Sequence, residues 1–420
     1  MKVNIVVIST WVLLIWQSNV VNVFVDFGYV SYFFYAFLVL AFLWLVLGAL
    51  YDDGVDIPEL RPIILIVVPV VLGALFGYTF LDEVPARVQA ATAMNGRDYL
   101  RAFLLLPVLL ILFACRIAIS VNAGLKVERI LFPILLTIWF FNFYVFASAY
   151  FSGVQLSLVQ GERNQYLSGT GFHPNALGSI LVVGLASLLG YLRAPLNSRL
   201  RSVLAVSAIV TMISILLTFS RGSILAMFVL TILYGYTLPA RQKLVLALLF
   251  FGLLLLSPDI IFQRFSLGFE GGGVDFNKMS SGRLELIWLP LIPDVMNNFL
   301  IGQGTASIMW TDTMKSGKVF YPVGMAHNGY IDLLLDFGIV GTVLIMAFYF
   351  YVLRKCMVEM KYEIEPIFYG SYYAGYLSLI AFFVLALTNE RLIPGYTYFI
   401  LWIIIGILLG RHRASRNGSG

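Results

Sequence analysis

The chain is dominated by apolar runs, most of them close to the roughly 20 residues that an α-helix needs to cross a bilayer. Hydrophobic residues make up 60% of the 420 residues and charged residues only 12%, whereas a soluble domain carries about 25% charged residues. Only helices and closed barrels satisfy their backbone polar groups inside lipid. The sequence therefore predicts an all-α polytopic membrane protein of about twelve transmembrane helices, at residues 4–24, 29–51, 62–81, 102–120, 130–152, 174–192, 202–219, 222–239, 244–256, 329–353, 367–388 and 392–410.

A long polar interruption separates the ninth apolar segment from the tenth. Residues 257–326 are richer in Gly, Asp, Asn and Lys than their surroundings, and a loop of this length has room for a small folded unit with helices of its own. We therefore divide the chain into residues 1–256, which hold helices 1–9, residues 257–326, a large periplasmic loop domain, and residues 327–420, which hold helices 10–12 and a cytoplasmic tail.

The positive charges predict the orientation of the helices. With the N-terminus in the cytoplasm, 16 of the 27 Lys and Arg residues fall on the inner side and 11 on the outer side, five of them in the long loop. Long loops count little in the positive-inside rule, so the contrast across the short loops is 16 to 6. The sequence thus predicts a multi-pass protein with both termini in the cytoplasm and residues 257–326 outside.

The residue types exclude several functions. The net charge of +5 comes largely from basic residues in short loops, where they set orientation, so it does not indicate nucleic-acid binding. The sequence contains no P-loop, no G-x-S-x-G nucleophile elbow and no H-E-x-x-H zinc site. The one pair of acids near the N-terminus, Asp52-Asp53, falls on the inner side. We therefore expect no metal at an outer site, since such sites need clustered carboxylates, and we predict no cofactor.

Three arginines on the outer side could bind an anion. Arg221 lies in a tight turn between two apolar helices, and a charge at the bilayer centre costs about 2.5–3.5 kcal/mol, so charged residues near this depth are usually functional. Arg264 and Arg283 lie in the long loop, Arg283 at a predicted helix start that Ser281 could cap. A guanidinium binds phosphate oxygens bidentately and keeps its charge. The alternative is a snorkelling arginine at 221 and ordinary loop arginines at 264 and 283.

His327 is the strongest candidate for acid–base chemistry. It closes the long loop and opens the tenth predicted helix, at the boundary between water and membrane. His173 precedes the sixth helix on the same side, whereas His412 lies in the basic cytoplasmic tail. The alternative is that His327 is only a residue at the start of a helix.

The helical phase of the residues after His327 predicts a groove on its face. If the helix is regular, Gly338 and Gly341 lie within about 40° of His327, because successive residues are about 100° apart. Such glycines usually let two helices approach closely, and the functional alternative is a slot for a lipid chain. Asp332 and Asp336 fall on the opposite face, so the phase predicts that they pair within the bundle and do not orient His327.

The sequence from His327 onward resembles the O-antigen ligase and O-antigen polymerase superfamily, whose members are bacterial envelope enzymes. The family signature is His followed by Asn, Ser or Gln, then nine residues, Gly, two residues, and Gly, Thr or Tyr. Here His327-Asn328 is followed after nine residues by Gly338 and after two more by Gly341. The match is complete and lies just after the long loop, as in the family.

Three further motifs share the resemblance, which covers roughly residues 170–350. They are the Ser-Arg-Gly turn at residues 220–222, the Arg-x-x-x-x-Trp stretch at residues 283–288 and the Gly-x-Gly at residues 302–304. The first five helices resemble the family only in being hydrophobic. The signature is typical of the superfamily and does not separate ligases from polymerases.

The resemblance implies a GT-C-like, inverting glycan transferase of the bacterial inner membrane that works without metal or nucleotide at the periplasmic face. Its partners would be membrane lipids, a glycan donor on undecaprenyl diphosphate, and either lipid A–core or a second lipid-linked glycan as acceptor. His327 would be the catalytic base, supported by Asn328, Gly338 and Gly341. Arg221 and Arg283, with Arg264 as a third candidate, would bind the diphosphate.

We expect an O-antigen ligase acting on lipid A–core in lipopolysaccharide biosynthesis. The first alternative is a polymerase that extends O-antigen or exopolysaccharide repeat units. An alternative of another class is a transporter or flippase, but transporters tend to show repeats and acidic residues at mid-membrane. This sequence shows no repeat, and its distinctive polar residues gather at one face.

Overall fold

The computed structural model describes residues 58–92, 96–151, 173–255, 262, 266, 269, 274–319, 323–388 and 391–411. These residues are helical, and their only β-bridge joins Gly329 and Arg391. The helices are α1 (Ile64–Tyr78), α2 (Ala86–Thr92), α3 (Gly96–Leu100), α4 (Leu106–Asn122), α5 (Glu128–Phe151), α6 (Pro174–Leu192), α7 (Ser198–Leu217), α8 (Arg221–Tyr236), α9 (Ala240–Leu255), α10 (Phe276–Met279), α11 (Leu289–Asn297), α12 (Asp312–Lys315), α13 (Gly329–Glu359), α14 (Pro366–Ala386) and α15 (Phe399–Gly410).

Shorter elements link these helices. Two π-helices, Arg101–Leu105 and Leu284–Trp288, run directly into α4 and α11. Four 3₁₀ segments complete the set: Pro58–Ile63, Leu81–Glu83, Ser307–Trp310 and Tyr396–Tyr398. The described part of the long loop thus has helices of its own.

The helices confirm an all-α polytopic membrane protein, and the count of twelve spans stays a prediction. Seven helices in the described ranges are long and apolar enough to cross a membrane: Leu60–Tyr78, Asp98–Asn122, Glu128–Tyr150, Pro174–Leu192, Ser198–Leu217, Gly329–Glu359 and Pro366–Ala386. Helices α8 and α15 are apolar but shorter. The sixteen-residue α9 overlaps the predicted segment 244–256, and the predicted segments 4–24 and 29–51 lie outside the described residues.

Helix α6 forms the centre of the bundle. It packs against α14, α7 and α8, and nearly all of its side chains are buried. Its glycines allow this close approach, because a β-carbon at Gly190 would collide with the backbone of Ala374 in α14, and one at Gly178 would collide with Ser223 in α8. Small residues at a helix interface bring backbones together in this way. Helix α8 thereby begins, and helix α14 ends, beside the start of α6, where the candidate site lies.

Helix α13 is interrupted at Gly338, which has φ +59° and ψ −168°. The break frees backbone groups, and the segment that follows α11 satisfies them. The Ile339 N–H donates to the carbonyl of Phe299 at 2.7 Å. The N–H groups of Gln303 and Gly304 donate to the backbone carbonyls of Leu335 and Asp336, each at 2.9 Å. A β-carbon at Gly338 would collide with the backbone of Leu300 and Ile301, so both the conformation and the packing require glycine here.

Candidate functional site

A cavity of about 430 Å³ opens where α6, α8 and α14 meet the loop segment 279–288. Its lining is rich in hydroxyl groups and contains two arginines, and it has no acidic side chain among the residues that the structure describes. The lining residues are Asn175, Ser179, Ser220, Arg221, Gly222, Ser223, Leu225, Phe269, Met279, Ser280, Ser281, Arg283, Trp288, Leu385, Leu387 and Thr388. Such a lining suits a strongly anionic ligand with many acceptor oxygens.

Arg221 is the first residue of α8, and its side chain reaches across the cavity. Its Nη2 donates to the hydroxyl of Ser281 in the loop. Ser281 has φ +60° and does not cap the following helix, contrary to our expectation. The hydroxyl of Ser280 accepts from the Leu284 N–H at 3.0 Å and performs that role. Ser281 is therefore placed to orient Arg221.

Arg283 enters the same cavity from the loop side. Its Nη1 donates to the carbonyl of Thr388 at the end of α14. Burial, and then the positive charge of Arg221, lower the pKa of Arg283 to about 10, so its guanidinium stays charged at neutral pH. Two like charges in a partly buried cavity repel each other, and an anion between them would relieve this repulsion.

His327 lies outside the helix that follows it. It is partly exposed and has φ +54°, a left-handed conformation that is rare in residues other than glycine. The side chain of Asn328 caps α13 by accepting from the N–H groups of Tyr330 and Ile331, at 3.1 and 3.3 Å. Because the helix begins only at Gly329 and breaks at Gly338, the face assigned from a regular helix was wrong.

Three side chains clamp the turn that carries His327. The carboxylate of Asp332 accepts from the Ala326 N–H at 2.9 Å. The indole Nε1 of Trp288 donates to the Ala326 carbonyl at 2.8 Å, and Arg391 donates to the Gly324 carbonyl at 2.6 Å. Asp332 was expected only to pair within the bundle, yet it holds the peptide next to His327. The other acid, Asp336, accepts from the N–H and hydroxyl of Ser307, each at 2.9 Å.

Trp288 links the cavity to the histidine turn. It lines the cavity together with Arg283; Arg283 directly precedes one turn of π-helix and Trp288 is its last residue, and in such a helix residues five apart are paired. This geometry gives a physical reason for the Arg-x-x-x-x-Trp spacing. His327 is not among the described residues that line the cavity, whereas Trp288 lines it and donates to the carbonyl of Ala326, next to His327.

Four further residues were candidates for the site: Gly338, Gly341, His173 and Arg264. The space beside Gly338 is filled by the backbone of residues 300 and 301, and a β-carbon at Gly341 would collide with Phe337. Gly338 therefore serves close packing against the loop, Gly341 leaves room for Phe337, and the slot for a lipid chain, which was the functional alternative, is absent at these positions. Nδ1 of His173 accepts from the Asn175 N–H at 3.2 Å and caps α6. Arg264 lies outside the described residues.

Sequence reasoning missed Trp288, Arg391 and Thr388 as parts of the site. Only Trp288 carried a signal, through its fixed distance from Arg283 in the family motif. Arg391 and Thr388 follow α14, far along the chain, and no local pattern places them beside the loop. Among the residues described, no group of three or more His, Cys, Asp or Glu side chains could hold a metal ion; metal independence stays a prediction.

We expect Trp288→Phe to lower turnover about tenfold while leaving donor affinity unchanged. The ring remains in the cavity wall, but the buried Ala326 carbonyl loses its donor, and leaving such a group unsatisfied costs about 1–3 kcal/mol. The measurement is kcat against donor KM. Trp139→Phe is the matched control, because it removes an indole hydrogen bond to Ser207 of 2.9 Å outside the cavity. Equal kinetics for the two variants would contradict a role for Trp288 in placing His327.

The site and the fold together define a multi-pass membrane protein with a cationic cavity at one end of its helices. Residues 205–346, about a third of the chain, match the family model of O-antigen ligase. The matched segment runs from α7 through Arg221, Arg283 and His327 to the middle of α13, and it supports the O-antigen ligase superfamily, as the resemblance indicated. No curated protein matches the chain.

The family match supports a membrane glycosyltransferase-like enzyme of the O-antigen ligase and polymerase type, and such a family implies lipid-linked glycan substrates.

Proposed function

We propose that this protein is a metal-independent, inverting glycan transferase of the GT-C-like kind. It moves a glycan from undecaprenyl diphosphate to a sugar hydroxyl at the periplasmic face of the bacterial inner membrane. The acceptor we favour is lipid A–core, which makes the protein an O-antigen ligase in lipopolysaccharide biosynthesis. The observation that carries the proposal is the pairing of Arg221 and Arg283 in one hydroxyl-rich cavity.

The cavity supports a diphosphate as its ligand. A diphosphate offers several acceptor oxygens and more than one negative charge, and guanidinium groups bind such oxygens with charge-assisted hydrogen bonds. The hydroxyl-bearing residues Ser220, Ser223 and Thr388 line the same cavity as the two arginines. Helix α8 also begins at Arg221, so its first backbone N–H groups add positive potential at this point.

The proposed reaction transfers one glycosyl group and one proton. The acceptor hydroxyl oxygen attacks the anomeric carbon from the side opposite the diphosphate, and His327 takes the hydroxyl proton. The bond between the anomeric carbon and the diphosphate oxygen breaks, so the configuration at that carbon is inverted. The leaving diphosphate stays on its lipid, and Arg221 and Arg283 stabilise its added negative charge.

The left-handed turn at His327 supports a role in chemistry. Residues other than glycine held in such conformations persist where the surrounding structure fixes them, and they cluster at functional sites. Here Asp332 and Trp288 hold the preceding peptide by its N–H and its carbonyl. An imidazole on a fixed turn can accept a proton from a bound hydroxyl without reorganising first.

Polymerase activity is the alternative that uses the same site. The chemistry at the donor is identical, and only the acceptor differs: a second lipid-linked glycan replaces lipid A–core.

The transporter alternative has less support, although Asp332 and Asp336 are buried within a candidate span. Both contact backbone groups of neighbouring loops and so have a structural role.

Incubation of the purified protein with donor distinguishes these functions. We expect donor alone to stay unchanged and donor with lipid A–core to give glycosylated lipid A–core, without ATP or an ion gradient. Longer lipid-linked chains from donor alone would show a polymerase. Movement of intact donor across proteoliposomes without glycan transfer would show a flippase.

We expect activity to survive EDTA. The two arginines carry permanent positive charges, so Mg²⁺ is not needed to neutralise the diphosphate. The measurement is turnover after chelation, compared with an untreated sample. Loss of turnover that Mg²⁺ or Mn²⁺ restores would contradict the metal-independent mechanism.

A further inference from the structure

Helix α11 presents an apolar face outward, and its inward face holds the buried residues Leu291 and Asp294. Its outward side chains include Ile292 and Met296, which are 51% and 64% exposed, whereas Asp294 is only 3% exposed. The Asp294 carboxylate accepts from the Asp312 N–H at 3.0 Å, which fastens the inner face to the loop. A surface helix in water buries its apolar stripe and exposes its polar side chains. The outward face of α11 therefore suits a non-aqueous phase.

The exposed surface continues beyond the end of α11. Leu300 and Ile301 follow it in the loop and are 66% and 69% exposed. The backbone carbonyl of Leu300 accepts from the Val340 N–H at 3.2 Å, so this segment lies directly against α13. Val340 and Val343 are exposed apolar residues of a candidate membrane span. The apolar surface of α11 is thus continuous with the lipid-facing surface of α13.

We propose that α11 and residues 299–301 lie in the lipid bilayer, at the boundary between headgroups and acyl chains. The partner is lipid hydrocarbon, because the surface is an extension of the exposed apolar face of a candidate membrane span. The loop domain is then partly embedded in the bilayer. Trp288, which precedes α11 and lines the arginine cavity, is held at the depth where lipid headgroups lie. The inference does not depend on which reaction the site performs.

Fluorescent labelling in liposomes tests this placement. Both native cysteines, Cys115 and Cys356, are replaced by alanine, and a single cysteine is introduced by Ile292→Cys, Met296→Cys, Val343→Cys or Lys318→Cys. Each carries an NBD label in vesicles of phosphatidylethanolamine and phosphatidylglycerol. Val343 is the lipid-facing control, and Lys318 is the exposed control in the same loop domain.

We expect labels at residues 292 and 296 to behave like the label at residue 343. Their emission should shift to the blue, doxyl lipids should quench it, and aqueous iodide should quench it several-fold less than at residue 318. Quenching by iodide as strong as at residue 318 would overturn the proposal. Shielding from both iodide and doxyl lipid would also overturn it, because a protein partner would then cover the face. Because positions 292 and 296 are labelled separately, the test still gives a result if one of the two variants fails to fold.

Discussion

His327→Ala is expected to lower glycan transfer by about 10²–10⁴-fold, the contribution that a general base typically makes. Turnover at saturating donor and acceptor is the measurement, together with donor binding. Binding should be retained, since the arginine cavity does not include His327. The residue is partly exposed at a turn, so its truncation opens no large core cavity.

Two conservative variants separate chemistry from conformation. His327→Asn suits the left-handed turn at φ +54°, because asparagine adopts this conformation readily. His327→Gln retains a hydrogen-bonding group, and neither side chain can accept the proton. We expect both to be nearly inactive. A Gln variant with near wild-type turnover would show that His327 is not the base, and His173 would be the next candidate.

The variants separate the role of His327 as a base from the role of Trp288 in positioning it. If the His327 variants lose transfer but Trp288→Phe behaves like Trp139→Phe, His327 is the base and Trp288 does not position it. If all of them retain transfer, the proposed mechanism itself is wrong. The lipid placement of α11 is decided by fluorescence alone.

Arg283→Ala is expected to lower transfer by about 10²–10³-fold, which is the usual cost of removing one donor that stabilises a developing anion. Donor affinity should weaken more than acceptor affinity, because the cavity binds the diphosphate. Arg221→Ala should act in the same direction. Kinetics with varied donor and then varied acceptor measure the difference.

Lysine variants test the geometry of this clamp. Lysine keeps the charge but cannot bind bidentately, so Arg221→Lys and Arg283→Lys should recover only part of the activity. Arg411→Lys is the matched control, because Arg411 forms ion pairs with Glu363 and Glu365, each at 3.2 Å, near the C-terminus and outside the cavity lining. Full activity in both cavity variants would remove the support for a guanidinium clamp.

The sequence predicted the parts of the fold that depend on local hydrophobicity. The segment 174–192 coincides with α6, and the segments 130–152 and 367–388 differ from α5 and α14 by only a few residues. Long apolar runs determine helices because lipid leaves the backbone no other hydrogen-bond partner. The site motif was also visible, since His327, Arg221 and Arg283 are rare polar residues beside apolar segments.

The sequence could not predict the features that depend on contacts distant along the chain. The sequence predicted a regular helix after His327. Instead, the backbone of residues 299–304 forms hydrogen bonds with α13 on both sides of Gly338. The role of Asp332 also depends on such a contact, because its partner is a backbone N–H in the turn that precedes the helix. A glycine in an apolar helix is compatible with close helix packing and with a break in the helix. Which of the two occurs depends on whether a loop lies beside the glycine, and the local sequence does not show this.

The break at Gly338 changes where the chain can be divided for protein engineering. The first turns of α13 are bound to the loop through Asp336 and Ser307, and through the Gln303 and Gly304 amides. A chimera that exchanges residues 257–326 with a related enzyme would separate these partners. An exchange that ends after Val340 keeps them together and also keeps Ile339 and Val340 with their partners in the loop, so residue 340 is the better fusion point.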